Sequence, residues 1–249
     1  MGFTVIIPSR YASTRLPGKP LLDIVGRPMI AHVVDQALRS KADRVIVATD
    51  DQRIENALTS LNCTVCMTRQ DHQSGSDRLA EVIDKLSIAD DEIVVNVQGD
   101  EPLIPPKLID QVAERLASSQ GADMSTAAHK IESIDDFNNP NVVKLVIDQA
   151  GKALYFSRSA IPHKVDDFAS TRPIAWHHIG IYAYSAKFVT GYAQLLPSAL
   201  ERSESLEQLR VLDNGGMITV QTIDYPSGFG VDTSEDLERA RAHYQNLNQ

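Results

Sequence analysis

Four short apolar, β-branched runs punctuate the first half of the chain, and each is followed by a segment of helical period. They lie at residues 3–8 (Phe-Thr-Val-Ile-Ile-Pro), 44–49 (Arg-Val-Ile-Val-Ala-Thr), 63–68 and 92–98 (Glu-Ile-Val-Val-Asn-Val-Gln). Runs this continuous suit strands covered on both faces, since a half-exposed strand would alternate apolar with polar residues. The helical segments fall near 27–40, 51–61, 75–87 and 105–119. Strand and helix in alternation predict an α/β fold with a mostly parallel sheet and right-handed crossovers, which places helices on both faces.

The second half has another texture. Residues 124–130, 142–148, 153–158 and 177–184 read as strands with few long helices between them, which predicts a mixed or antiparallel extension. A polar connection from His163 to Pro173 interrupts them. Helices are expected again near 186–195 and 199–213, a strand at 217–224 and a closing helix at 234–246, for which Thr233 and Asp236 supply a capping box. No internal repeat or low-complexity tract breaks the 249 residues, which suits one domain: 1–120 mainly for one ligand, 121–230 for a second ligand and an arm, and 231–249 as the closing helix.

Composition excludes several classes of function. A net charge of -9 argues against general nucleic-acid binding, which would show as a basic face. No apolar run approaches the ~20 residues that cross a bilayer, and no secretory leader precedes the first strand, so a cytoplasmic protein with no membrane partner is expected. Cys63 and Cys66 have C-x-x-C spacing, but within a strand residues three apart face opposite ways. Two reduced, half-buried thiols are expected there rather than a redox or zinc pair.

The chemistry concentrates where the first strand ends. Residues 9–20 (Ser-Arg-Tyr-Ala-Ser-Thr-Arg-Leu-Pro-Gly-Lys-Pro) carry Arg10, Arg15 and Lys19 on a loop at the carboxyl end of a parallel strand, where open α/β sheets bind ligands. Two planar guanidiniums and a mobile ammonium can hold several phosphate oxygens at once; a solvated basic loop is the plainer alternative. Lys19 is followed by Pro20 rather than Ser or Thr, and no G-x-G-x-x-G follows a strand. The chain is therefore neither a P-loop NTPase nor an ordinary dinucleotide dehydrogenase.

Carboxylates complement the cations. Asp100, in Gly99-Asp-Glu-Pro, and Asp232, in Gly230-Val-Asp-Thr, lie at strand ends. Mg2+ takes one or two carboxylates together with substrate phosphates, so the pair suits a metal-nucleotide site, although Asp also serves turns and helix starts. Residues 71–78 open a helix with Ser74, Gly75 and Arg78, offering either free N–H groups to a ligand or an ordinary cap. Polar groups also mark apolar elements at 155–158, 177–182 and 204–210. In the last of these, Glu204, Glu207 and Arg210 have the spacing of a salt-bridged solvent face.

Together these segments closely resemble the cytidylyltransferases that activate 3-deoxy-D-manno-octulosonate (Kdo). The resemblance rests on residues 7–21 (Ile-Pro-Ser-Arg-Tyr-Ala-Ser-Thr-Arg-Leu-Pro-Gly-Lys-Pro-Leu), Val47-Ala-Thr-Asp, His72-Gln-Ser-Gly-Ser-Asp-Arg-Leu-Ala-Glu, Val95-Asn-Val-Gln-Gly-Asp-Glu-Pro, Ala153-Leu-Tyr-Phe-Ser-Arg, Leu206-Glu-Gln-Leu-Arg and Gly230-Val-Asp-Thr. It implies a Rossmann-like nucleotidyltransferase fold with a smaller β-rich extension for sugar binding and dimerisation. The reaction would pass CMP from CTP to Kdo and release pyrophosphate. The resemblance gives Arg10 and Lys19 to the CTP phosphates, with Arg15 assisting, and Pro8, Ser74, Gly75, Arg78 and Gln98 to the nucleotide pocket. It gives Asp100 and Asp232 to Mg2+, and counts Arg10, Lys19 and Asp100 as catalytic. Arg158, His178, Tyr182, Glu207 and Gln208 would receive the acidic sugar, with Arg158 or His178 meeting its carboxylate. A homodimer is implied too.

Some positions depart from the family pattern. Ser9 replaces a common Ala, His163-Lys164 replaces an acidic-basic pair, and His177 replaces a frequent Arg. The last two fall beside the sugar site, which leaves open the same chemistry on another acidic sugar, such as 8-amino-Kdo or a sialic acid. A catalytically silent nucleotide-sensing or assembly protein on the same fold is the alternative of a different class.

Overall fold

Phe3–Ser9 (β1) is buried along almost its whole length because it sits inside the sheet with helices above and below. The computed structural model describes residues 2–12, 16–72, 74–163, 168 and 174–247. After β1 come a 3-10 turn at Lys19–Leu21, a hairpin of Asp23–Ile24 (β2) and Arg27–Pro28 (β3), and then Met29–Leu38 (α1), Arg44–Thr49 (β4), Gln52–Leu58 (α2) and Thr64–Met67 (β5). Gly75–Lys85 (α3), Ile93–Asn96 (β6), Pro106–Ser118 (α4), Met124–Lys130 (β7), Ile134–Asn138 (α5), Lys144–Ile147 (β8) and Ala153–Ser157 (β9) follow. Trp176–Ser185 (β10), Ala186–Tyr192 (α6), Ala199–Glu204 (α7), Leu209–Asp213 (α8), Ile218–Ile223 (β11) and Ser234–Leu247 (α9) complete the order.

Among the described residues nine strands form one sheet, whose main path runs β11-β7-β10-β6-β1-β4-β5. β1 pairs in parallel with β4 and β6, and β4 with β5; β10 runs antiparallel between β6 and β7, and β11 returns parallel to β7. The hairpin β8–β9 hangs from β10 through β8. The architecture is therefore the mixed, mostly parallel α/β sheet that the alternation of runs implies.

Alternation along the strands divides the core into two layers. Val5, Ile7, Val45, Val47, Val95 and Val97 pack with Ile30, Val33 and Val34 of α1, Ile54 and Leu58 of α2, and Leu108, Ile109 and Val112 of α4. Ile6, Ile46, Ala48 and Val94 face the opposite way, against Leu79, Val82 and Ile83 of α3, Val189 of α6, and Leu209 and Val211 of α8. Cys63 packs against the first layer and Cys66 lies in the second; both are free thiols, as the strand reading requires.

A smaller cluster of Ile24, Met29, Val231, Leu237 and Ala240 fixes α9 across the β2–β3 hairpin. Arg241 Nε donates to the Asp23 carbonyl at 2.9 Å and the Tyr244 hydroxyl to that of Pro102 at 2.6 Å. Thr233 and Asp236 form the expected capping box, each side chain accepting from the other's backbone N–H. Asp232 is thereby held at the start of a helix anchored to the rest of the fold.

Where elements differ from expectation, local chemistry explains it. The first helix starts at Met29 rather than 27 because Arg27 and Pro28 pair with Asp23 and Ile24. The helix expected at 199–213 is two helices, because Ser205 takes a left-handed conformation at φ 55 and terminates α7. The short helix α5 carried no apolar period long enough to be read; Ser133 caps it by accepting from Asp136 N–H.

The turn after β6 approaches β1 closely. A Cβ added at Gly99 would lie 2.7 Å from the Pro8 carbonyl oxygen, which a parallel partner strand holds in place. Gly99→Ala is therefore expected to cost about 1–3 kcal/mol through overpacking. Urea unfolding monitored by circular dichroism checks this, and an unchanged midpoint would show that the turn relaxes freely.

Candidate active site

The carboxyl ends of β1, β4 and β6 open onto one crevice. Arg10 follows β1 directly, and Lys19 starts the 3-10 turn behind it, where Gly18 supplies a left-handed residue at φ 66. Lys19 Nζ donates to Asp100 Oδ2 at 2.6 Å and to Asp232 Oδ1 at 2.9 Å. The lysine side chain is only 11% exposed while the two carboxylates are 38% and 48% exposed, so the acids face outward and the cation is sunk between them. Beside them burial pushes the Glu101 carboxyl up to about 8, and Asp100 and Asp232 push it the same way against Lys19.

A cavity of about 320 Å3 rises from this cluster. Pro8, Arg10, Lys19, Ser74, Gly75, Arg78, Gln98 and Asp100 all line it, together with His72 and Glu207. Its far wall is the start of α3, where Ser74 and Asp77 form a reciprocal capping box. Arg78 is 3% exposed, and its guanidinium donates to Asp50 Oδ2 at 2.9 Å and to the Thr68 hydroxyl. It stiffens the wall from within.

A second cavity of about 260 Å3 continues from the first, sharing Gly75, Gln98 and Glu207. Asn96, Tyr182, Tyr184, Phe188, Tyr192 and Gln208 are among its walls. The Tyr182 hydroxyl donates to Gln208 Oε1 at 3.3 Å and Ser76 Oγ to Glu207 Oε2 at 3.3 Å. Burial is the main reason that the Glu207 carboxyl is raised above its ordinary pKa.

The α7–α8 corner presents these groups. Arg210 pairs with Glu201 through two bonds of 2.7 and 2.6 Å, both side chains being nearly buried. The Tyr192 hydroxyl donates to the Glu207 carbonyl at 2.8 Å. The solvent-face reading of Glu204, Glu207 and Arg210 is corrected for Arg210, which turns inward to Glu201, while Glu207 stays exposed and lines both cavities past the break at Ser205.

Residues 4–223 fit a family model described as Cytidylyltransferase. The chain belongs to the cytidylyltransferase family. It is 53% identical to a 3-deoxy-manno-octulosonate cytidylyltransferase of Actinobacillus succinogenes, over 96% of this chain and 97% of the relative. A protein of the same name from Aliivibrio fischeri is 56% identical, over 97% and 98%. Among solved structures, CMP:2-keto-3-deoxy-manno-octonic acid synthetase complexed with CTP superposes with a TM-score of 0.90 at 42% identity, each chain covered to 99%. The chain is therefore a nucleotidyltransferase.

Two residues expected at the sugar stand elsewhere in this cytidylyltransferase. Arg158 lines neither cavity: its Nε donates to the Glu204 carbonyl at 2.9 Å and its Nη1 to that of Pro140 at 3.1 Å, so it ties the end of β9 to α7. His178 is buried behind Tyr182, with ring centres 5.6 Å apart, and meets the Thr126 hydroxyl at 3.0 Å. That hydroxyl also donates to the Ile181 carbonyl, at the bulge where β10 slips against β7. A hydroxyl has one proton to give, so His178 Nε2 is the donor. Burial, then His177, push the His178 imidazole down to about 3, which leaves it neutral and unsuited to hold a carboxylate by charge. Arg15 and most of the 163–173 connection lie outside the described residues.

Asn96, Ser76, Tyr184, Phe188 and Tyr192 were not anticipated as cavity residues. Period-two spacing from Gln98 back to Asn96 is the signal that could have found the first of them.

His72 leads into the α3 cap and is bonded to Glu81. Burial alone would raise the Glu81 carboxyl, but hydrogen bonds from Lys85, the Arg69 N–H and His72 outweigh it and hold the group at about 2. A depressed carboxylate contributes stability above its unfolded pKa, and that contribution is lost as pH falls toward the folded value. Stability is expected to drop between about pH 4.5 and 2, and more steeply than in Glu81→Gln. Denaturant titrations across that range check this; parallel pH profiles would refute it.

Proposed function

We propose that this chain transfers a cytidylyl group from CTP to Kdo, giving CMP-Kdo and pyrophosphate. The observation that carries this reading is the pair of joined cavities, one rooted in the Lys19–Asp100–Asp232 cluster and the other lined by hydroxyls and amides. Its support from likeness is 53% identity across nearly the whole chain to a protein bearing that name.

In this reading the cytosine and ribose lie against Ser74, Gly75 and Gln98, with Pro8 beneath them, and Arg78 keeps that wall in place. Arg10 and Lys19 bind the phosphates, placing positive charge where negative charge accumulates on the transferring group. Tyr182, Glu207 and Gln208 orient the sugar so that its anomeric hydroxyl faces the α-phosphorus. A bond forms from that oxygen to the phosphorus, the bond to the β-phosphate oxygen breaks, the hydroxyl proton is lost, and pyrophosphate leaves. In-line transfer of this kind needs alignment and charge stabilisation more than a covalent partner.

Among the described residues no group of three or more His, Cys, Asp or Glu is arranged to hold a metal alone. That fits Mg2+, which takes one or two carboxylates and completes its shell with substrate phosphates and water. Asp100 and Asp232, both partly exposed oxygen donors beside the cavity, would hold it. When bound it supplies Lewis-acid polarisation of the phosphoryl group.

No described helix is long and apolar enough to cross a membrane. The reaction is read as cytoplasmic, supplying the activated sugar for lipopolysaccharide synthesis. Two copies are expected to associate through the β8–β9 arm, where Leu154 is 58% exposed.

The test is pyrophosphate release with CTP and Mg2+ against Kdo, 8-amino-Kdo and sialic acid, with UTP as the control base. Rapid release with Kdo and CTP alone is expected; preference for another sugar, or silence throughout, would overturn the assignment. Asp100→Asn should lower kcat by about a hundredfold or more while the fold survives. Lys19→Ala should chiefly raise KM for CTP, and unchanged kinetics in either variant would remove that residue from the site.

A further inference from the structure

The second cavity contains three polar atoms that complete no hydrogen bond, two of them on the neighbouring side chains Asn96 and Tyr184, whose amide and hydroxyl lie close enough to interact. Asn96 Oδ1, the Tyr184 hydroxyl and Gln208 Nε2 are buried without a hydrogen-bond partner, and their residues are 4%, 5% and 4% exposed. Buried polar groups are nearly always paired, so orphans gathered in one cavity point to a ligand that completes them. Asn96 lies directly opposite Tyr182 in the β6–β10 register, and Tyr184 is two residues further along β10, so all three side chains share one face of the sheet. Gln98, two residues beyond Asn96 on the same face, lines both cavities. The strand thus places Asn96 one step from the wall that the two cavities share.

The chemistry of the orphans is specific. Asn96 Oδ1 only accepts, Gln208 Nε2 only donates, and the Tyr184 hydroxyl does both. Gln208 Oε1 is already engaged by Tyr182, which fixes the orientation of its amide. Sugar hydroxyls, which donate and accept at one atom, match such a set. Among the described residues the cavity wall has no Lys, Arg or His, and its one charged group is the carboxyl of Glu207. A carboxylate is poorly matched to such a lining, whereas an uncharged, hydroxyl-bearing stretch of sugar fits it.

We propose that Asn96 and Tyr184 are specificity-determining residues, which read hydroxyls at the neutral end of the sugar and leave its carboxylate toward the Lys19 side. This rests on the acidic-sugar reading of the reaction. A site built to bond a hydroxyl rejects the analogue lacking it far more strongly than an apolar pocket would, because the protein groups are then left unpaired.

The experiment compares the wild type, Tyr184→Phe and Asn96→Ala with CTP and either Kdo or analogues that each lack one of its hydroxyls. Initial rates give KM for each substrate and the ratio of kcat/KM values. The wild type should prefer Kdo over at least one analogue by about a hundredfold or more. Tyr184→Phe, which removes a single oxygen, should raise KM for Kdo about tenfold and erase most of that preference, with KM for CTP nearly unchanged. Asn96→Ala should do the same, against the same analogue or another. A wild type that uses every analogue as well as Kdo overturns the proposal without any variant. So does either variant if its sugar KM and preference match the wild type, the result expected where water alone satisfies these groups. If both variants lose KM for CTP and for sugar alike, the residues are structural and the proposal fails. Wild-type silence on every acidic sugar defeats the underlying function and this inference together, a result distinct from an active wild type with indifferent variants.

Discussion

The ammonium of Lys19 joins two carboxylates that are 81 and 213 residues away in sequence. No local preference brings such groups together; only the sheet does. β1 lies at its middle, β6 is its immediate parallel neighbour, and α9 closes over the hairpin that follows the cationic loop. The loops that leave two adjacent strands and the residues that lead into a distant helix therefore meet at one end of the sheet. The price of that convergence is an ammonium removed from most of its water, and the paired carboxylates offset it.

The same sheet explains why the two cavities adjoin. Strand positions alternate between faces, so Val95 and Val97 close the core on one side while Val94, Asn96 and Gln98 face the other. Moving along that second face from Val94 to Gln98 passes from apolar packing to an orphaned amide and then to the boundary of the two cavities. On β10, a bulge between Ile179 and Tyr182 shifts the register, and the Thr126 hydroxyl donates to the Ile181 carbonyl that it frees, 2.8 Å away. Tyr182 and Tyr184 then face the cavity while His178 stays in the core. Polar residues sit inside this fold at the cavities and at the bulge, in keeping with the rule that local consistency fails at functional sites.

How much of this was legible in the sequence follows from the range of each interaction. The β1, β4 and β6 strands and helices α1 to α4 were readable because burial on both faces forces continuous apolar runs and amphipathic helices. The strand ends carrying Arg10, Lys19 and Asp100 followed from the position of those runs. The break at Ser205 was not readable: a serine with positive φ leaves no compositional trace, and without the break Glu207 falls on the same stripe as Glu204 and Arg210. The partners of Arg158 were hidden too, since a guanidinium bonded to the Glu204 and Pro140 carbonyls looks in sequence like one awaiting a carboxylate. The resemblance supplied the chemistry of the ligands, and the folded chain supplied which side chains reach the cavities.

The proposed reaction requires metal and nucleotide phosphates to meet at Asp100, Asp232 and Lys19. Its most direct test is a crystal of the protein grown with CTP and Mn2+ in place of Mg2+, measured for anomalous scattering. An anomalous peak is expected within coordination distance of both carboxylates, with the triphosphate running between Arg10 and Lys19. A peak elsewhere, or a nucleotide bound outside the cavity above Lys19, would contradict it.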